Sequence, residues 1–410
     1  MQWLLLVAAF AASAFARGRV PQPAPAAPAP ASAVSTAPAS GFGPIVRPGR
    51  RTRRRRPRYK HGKPAEKAKV YVPLLKEKGW TPEAHKALED LIAAKGAASK
   101  GYDDQWPPVA VFTLENVSSL HNPAEAAFLQ LIERAEFRFS KAWWDLVPME
   151  QRERAQLDYK HFSSMQPSYW PHDEYYLDWR KAMLDAYSML CRRDGLRNCR
   201  AWLATLLIGP KEKEAEAYQR EVLDEALRET VAEEPVFANA GDQAPVTIGR
   251  GVRRVPAIGE LIRELRKAGF DVWMLSTSSQ WMAEAFASGY GVEANRVVGV
   301  RVRIVNTVLQ SELIDPVPGG AGMAEAVTVF MGRAPDLVVA GPEDRELLGY
   351  GKGLRIAIDR GDALLRARAK DRGWLLQPVL PPAPAEGAVE AGSRAGGEPS
   401  PANPGPPATP

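Results

Sequence analysis

Apolar positions along the chain change their period several times. Across HKALEDLIAAKG they recur every three or four residues, with Leu88, Leu91 and Ile92 on one side. That spacing predicts a helix, and Thr81-Pro82-Glu83 supplies its start: a capping hydroxyl, a proline at the first helical position and an acid in the first turn. PPVAVFTL follows as a short unbroken apolar run, the signature of a buried parallel strand. It ends in a polar turn, Glu115-Asn116. From 118 to about 235 the helical period returns, in NPAEAAFLQLIERA (Asn122 as cap, then Pro123), WRKAMLDAYSMLCRR, the strongly apolar RAWLATLLIG, and KEKEAEAYQREVLDEALRETVAEE.

Beyond residue 245 short apolar runs alternate with amphipathic ones. VPAIGELIRELRKAG predicts a helix ending at Gly269, DVWMLSTSS a strand and polar turn, SQWMAEAFASGYG a helix, NRVVGVRVRIVN a strand, and DLVVAGPEDRELL strand, sharp loop and helix. This alternation implies an α/β fold, a Rossmann-like parallel sheet with right-handed crossovers. The helical block falls between the first strand and the rest. Polar loops follow the carboxyl ends of three strands, where ligands bind in such sheets.

The ends of the chain read differently. MQWLLLVAAFAASAFA resembles a secretory signal, with Ala14-Phe15-Ala16 as a small-x-small cleavage site, although no Lys or Arg precedes the apolar run. Export to the periplasm, the exterior or the envelope is therefore expected, and a cytoplasmic protein if this segment is not a signal. The expected organisation is a signal at 1–16, a Pro/Ala-rich disordered linker at 17–46, a basic disordered arm at 47–69, the first part of the α/β core at 70–117, a helical cap at 118–245, the rest of the core at 246–378 and a disordered tail at 379–410.

Composition sharpens one part of this. The net charge of +6 is local: residues 47–69 hold twelve Lys or Arg against Glu66, which makes the arm +11 and the remainder −5. A nucleic-acid footprint spread over a domain is excluded. The arm itself suits a tether to an anionic envelope component or another polyanion. Cys191 and Cys199 lack any CxxC or Cys/His ligand spacing, so structural zinc is not expected. They are read as separate thiols, a disulfide being the alternative in an exported chain. The aromatic residues between 138 and 179 are read as the core of the helical block rather than the lining of a groove.

Together the three loops resemble the haloacid-dehalogenase-like hydrolase superfamily, in its phosphoserine-phosphatase-like branch. VAVFTLEN stands where that family has a strand followed by Asp-x-Asp. VPAIGELIRELRKAGFDVWMLSTSS resembles the approach to its hydroxyl-bearing motif, YGVEANRVVGVRV its next segment, DLVVAGPEDRELL its Gly-Asp loop, and DRGWLLQP its closing stretch. The likeness runs from about residue 80 to 378. It implies an inserted helical cap and, in active members, an aspartyl nucleophile beside Mg²⁺ held by oxygen ligands.

The chain departs from that pattern at most of these positions. Thr113 replaces the nucleophile. Glu115 replaces the second acid and is the candidate residual acid/base. Pro342 replaces the metal-binding aspartate, Glu343 a serine, and Glu346 the distal aspartate. Where a lysine is expected, residues 318–332 hold none, and Met323 is the best match. Ser276 alone keeps its role as a phosphate contact, unless its turn merely caps the following helix. Asp344 and Glu346 are the candidate metal ligands of a substitute site.

Three readings follow. The first is a catalytically impaired or inactive phosphatase homologue, a binding or scaffold module with no cofactor. The second is a divergent phosphomonoester hydrolase using Mg²⁺, and the third a polyanion-binding protein acting through the arm. A small phosphorylated ligand is compatible with the first two. His121, just after the first loop, is read as a helix-start or surface residue.

Overall fold

The computed structural model describes residues 75–76, 78–135, 139–239 and 241–386. The signal, linker and arm expected at 1–16, 17–46 and 47–69 lie outside the described residues, as does the tail expected at 379–410 from residue 387 on; its first residues, 379–386, instead pack on the core, with Leu380 buried and the Ala383 amide donating to the Arg254 carbonyl at 2.8 Å. Helix α1 (Pro82–Lys95) begins as expected, the Thr81 hydroxyl accepting the Ala84 amide at 3.2 Å. Strand β1 (Val109–Thr113) is buried at all five positions, as a central strand requires. The chain then turns sharply. Asn116 adopts φ 60° and ψ 11°, a left-handed conformation that asparagine tolerates better than most residues. The short strand β2 (Ser119–Leu120) follows.

The cap comprises α2 (Pro123–Arg134), α3 (Lys141–Trp144), α4 (Met149–Phe162), α5 (Glu174–Thr205) and α6 (Glu212–Arg228), then an antiparallel ribbon of β3 (Ala232–Val236) and β4 (Val246–Arg250). Its aromatic residues do form its own core. Trp143, Phe162 and Trp179 are fully buried, and the Trp179 indole donates to the Ile132 carbonyl at 2.7 Å.

Three sequence expectations are corrected here. The amphipathic helix expected to run to residue 234 stops at Arg228. Residues 232–236 pair instead with 246–250, and Glu233 and Glu234 take partners distant in the sequence, His121 and the pair Arg180 and Arg250. The two apolar segments around 180–205 are one element, α5, broken at Gly195 (φ 82°, ψ 164°). Cys191 and Cys199 are joined in a disulfide, their Cα atoms 4.9 Å apart, because that break brings them together.

After β5 (Arg253–Arg254), which pairs with β2, the core continues as α7 (Pro256–Lys267), β6 (Asp271–Ser279), α8 (Gln280–Ser288), β7 (Val297–Val305) and β8 (Val308–Ile314). It ends as α9 (Ala321–Met331), β9 (Leu337–Ala340), α10 (Arg345–Tyr350), β10 (Leu354–Asp359), α11 (Ala363–Arg372) and β11 (Leu375–Pro378). The seven-stranded sheet runs β11-β10-β9-β1-β6-β7-β8. Neighbours are parallel apart from β7 and β8. The hairpin strand β8 is absent from the sequence expectation. Since β1 lies between β6 and β9, the loops leaving these three strands emerge side by side at one edge. Among the described residues no helix is long and apolar enough to cross a membrane.

Candidate functional site

Strand register places the site. Thr113 sits opposite Leu275, so the residues after each strand meet across the sheet edge. The left-handed turn at Asn116 directs the Glu115 side chain back over β6 rather than outward. There its carboxylate, buried at 5% exposure, accepts from the Ser276 hydroxyl at 2.5 Å, the Ser278 hydroxyl at 2.8 Å, and the Thr277 and Ser278 amides at 3.1 Å. Two hydroxyls and two backbone amides converging on one point form a cradle for an anion. Ser279, the next residue, caps α8 by accepting the Met282 amide at 3.3 Å. The turn therefore both caps a helix and builds the cradle.

In the third loop Pro342 opens a single helical turn, Pro342–Asp344, which folds Asp344 inward to 5% exposure. Burial, with the nearby Glu115 and Glu343 carboxylates adding to it, pushes the Asp344 carboxyl up to about 7 from 3.8. The buried Thr113 hydroxyl lies beside it without forming a hydrogen bond of ordinary geometry.

Glu343 pairs instead with Arg200, which reaches down from the cap on α5 and is itself 5% exposed. Burial disfavours the Arg200 charge, but Glu343, followed by Glu125, more than compensates and holds it protonated. Arg200 is the site residue that sequence reasoning missed. Its signal was a charged side chain opening an otherwise apolar helical segment, RAWLATLLIG.

A cleft of about 290 Å³ opens outside the cradle, with Glu115, Asn116, Glu343, Asp344, Arg360 and Asp362 in its walls. Four of these six are acids, which disfavours a free phosphate. The structure thus brings together Thr113, Glu115, Ser276 and Asp344. It does not add Glu346, which is exposed and lies 3.8 Å from Arg368. Among the described residues no group of three or more His, Cys, Asp or Glu is placed to hold a metal ion. Met323 is fully buried in the apolar cluster with Ala326 and Val327. His121 is turned away, its Nδ1 3.0 and 2.9 Å from the carbonyl oxygens of Arg250 and Gly251.

The sheet order, the cap inserted after β1 and the three loops at one sheet edge give an α/β architecture, a Rossmann-like, mostly parallel sheet with an inserted helical cap, as the resemblance to the haloacid-dehalogenase-like superfamily implied. No family model and no curated protein matches the chain. Among solved structures it is similar to a conserved protein of unknown function from Anaerococcus prevotii, at 18% identity and a TM-score of 0.64, over 75% of this chain and 94% of that one. A haloacid-dehalogenase-family hydrolase from Salmonella enterica serovar Typhi is matched at 12% identity and a TM-score of 0.37, over 70% and 75% of the two chains. A probable phosphoserine phosphatase from Vibrio cholerae is matched at 12% and 0.34, over 68% and 62%. The first of these shares the fold; at such identity it says nothing of activity.

Proposed function

We propose that this chain is a catalytically impaired member of the haloacid-dehalogenase-like fold, acting as a binding or scaffold module whose anion cradle is filled by its own Glu115. The observation that carries this reading is the set of four donors on the Glu115 carboxylate. A phosphoryl group asks for the same donors, and Glu115 meets their demand at no cost in association entropy. Supporting it are Thr113, whose neutral hydroxyl replaces an anionic nucleophile, Met323 in place of a cation, and a mainly acidic cleft. Removing one positioned electrostatic group costs roughly 3–4 kcal/mol of transition-state stabilisation in well-studied hydrolases, so several such changes leave little turnover.

Two measurements test it. At high enzyme concentration with Mg²⁺ or Mn²⁺, the wild-type chain should release no product from p-nitrophenyl phosphate above the buffer rate. Inorganic phosphate should leave its melting temperature unchanged but raise that of Glu115→Ala, where the cradle is vacated. Metal-dependent turnover by the wild type, abolished in Glu115→Gln, would establish the hydrolase reading instead.

A further inference from the structure

The Cys191–Cys199 disulfide does not lie within one rigid element. It spans the break at Gly195. Before the break, α5 packs into the cap: Tyr176, Trp179, Met183 and Leu184 belong to the cap's aromatic cluster. Beyond it, Ala201 and Ala204 pack with Trp281, Val300 and Val302 of the α/β core, while Leu203 and Leu206 return to the cap cluster. The second half also carries two arginines onto the α/β core, one onto the third loop and one onto the turn that opens α9. Arg200 pairs with Glu343 in the third loop. Arg197 lies against the loop before α9, so close that a Cβ at Gly319 or Gly322 would come within 3.2 and 2.9 Å of it, and its guanidinium reaches Glu325 at 3.1 Å.

In an unbroken helix, residues eight apart have Cα atoms about 12 Å apart along the axis. The observed 4.9 Å is reachable only while the chain departs from helical geometry at Gly195, whose φ of 82° lies outside the range ordinary L residues favour. The flanking sequence, YSMLCRRD and LRNCRAWL, is otherwise helix-forming. Cleavage of the bond therefore removes the covalent constraint on the break and lets α5 extend through it. Arg197 and Arg200 lie two and five residues beyond the break, so its relaxation loosens their hold on the loops.

We propose that Cys191–Cys199 is a thiol–disulfide exchange site, open to a dithiol reductant, that clasps Arg200 to the third loop and Arg197 to the turn that opens α9. Cys191 is half-buried and Cys199 fully buried, so the incoming thiolate attacks the Cys191 sulfur. The sulfur–sulfur bond of the protein breaks, and Cys199 leaves as a thiolate and takes up a proton. The second thiol of the reductant then displaces Cys191 from the mixed disulfide. The protein ends with two thiols and the reductant, oxidised by two electrons, as a disulfide. This clasp operates whether or not the site hydrolyses phosphate esters.

Hydrogen exchange read by mass spectrometry on the full chain tests it, with alkylation counting the free thiols. In the air-oxidised protein no thiol should be free. Full reduction with dithiothreitol should raise exchange in 319–323 and 341–345 at least tenfold while leaving β1 and β9 unchanged. The double variant Cys191→Ser, Cys199→Ser should show the fast exchange without reductant. Arg200→Gln should show it at 341–345 even when oxidised, with no further rise on reduction. Unchanged exchange at both loops after complete reduction would overturn the proposal. So would free thiols in the oxidised protein, or a loss of protection spread through all of 123–236, which would make the bond a staple of the whole cap.

Discussion

At the scale of single residues, two side chains set the character of the site, and both act through length or burial. Glu115 differs from the expected aspartate by one methylene, a change that looks conservative in the sequence. Its consequence depends on the left-handed turn at Asn116 and on the β1–β6 register, which together aim the longer side chain into the Ser276–Ser278 cradle. The loss at Thr113 was legible because residue type alone declares it. The occupation of the cradle was not, because it is set by a backbone angle. Asp344 gives the pH-dependent counterpart. Its carboxyl titrates at about 7 in the folded protein, against 3.8 for an ordinary aspartate, through burial and then through Glu115 and Glu343. A raised acid pKa favours the proton-bound folded state. The contribution is therefore fully present below about pH 4 and is lost as pH rises through about 7, each tenfold difference in proton affinity between the folded and unfolded states being worth about 1.4 kcal/mol. Asp344→Asn should flatten the fall in stability between pH 4 and 7. Urea titrations at a series of pH values should find the variant more stable than the wild type at pH 8 and close to it at pH 4.

At the scale of elements, short apolar runs bounded by proline or glycine announced β1, β6, β7 and β9, and cap residues announced α1 and α2. These signals are local, so the sequence carries them openly. The β3–β4 ribbon was hidden because Glu233 and Glu234 continue the charge pattern of α6. Their partners, His121, Arg180 and Arg250, are distant in the chain. Helix α5 was hidden in the opposite way, since one glycine in an apolar helical pattern is usually tolerated at a modest cost. Here Gly195 takes φ 82° and ψ 164°, and the disulfide and Arg200 both depend on it. Gly195→Ala has room for its methyl group, so any cost comes from the backbone conformation. In the oxidised protein, where the disulfide enforces the break, the variant should lose about 1–3 kcal/mol of unfolding free energy. After reduction the deficit should shrink, because alanine favours the extended helix that the broken bond permits. Denaturant midpoints with and without dithiothreitol measure both values.

At the scale of the whole described chain, the fold class was legible because alternating strands and helices admit few topologies. What the pattern could not convey is how the hydrophobic interior divides. Residues 124–248 supply the whole of the aromatic cluster around Trp143, Phe162 and Trp179, whereas β1 separates two further clusters, one on each face of the sheet. Helix α2 belongs to both regions, with Ala126 and Ala127 toward the sheet and Phe128, Leu131 and Ile132 toward the cap. Helix α6 likewise sends Val222, Leu223 and Leu227 into the core cluster, so cap and core share a boundary, while the large aromatic residues of the cap keep a cluster of their own. A cavity in the cap should consequently be felt first in the cap. Trp179 is fully buried, holds the Ile132 carbonyl through its indole and stacks edge-on with Phe139 and Trp144. Trp179→Ala should cost about 3–5 kcal/mol, as large aromatic deletions do. Because that loss falls on one cluster, amides of α4 and the first half of α5 should exchange through a local opening while those of β1, β6 and β9 retain wild-type protection. Equal loss of protection in all five elements would mean instead that cap and core unfold as a single cooperative unit.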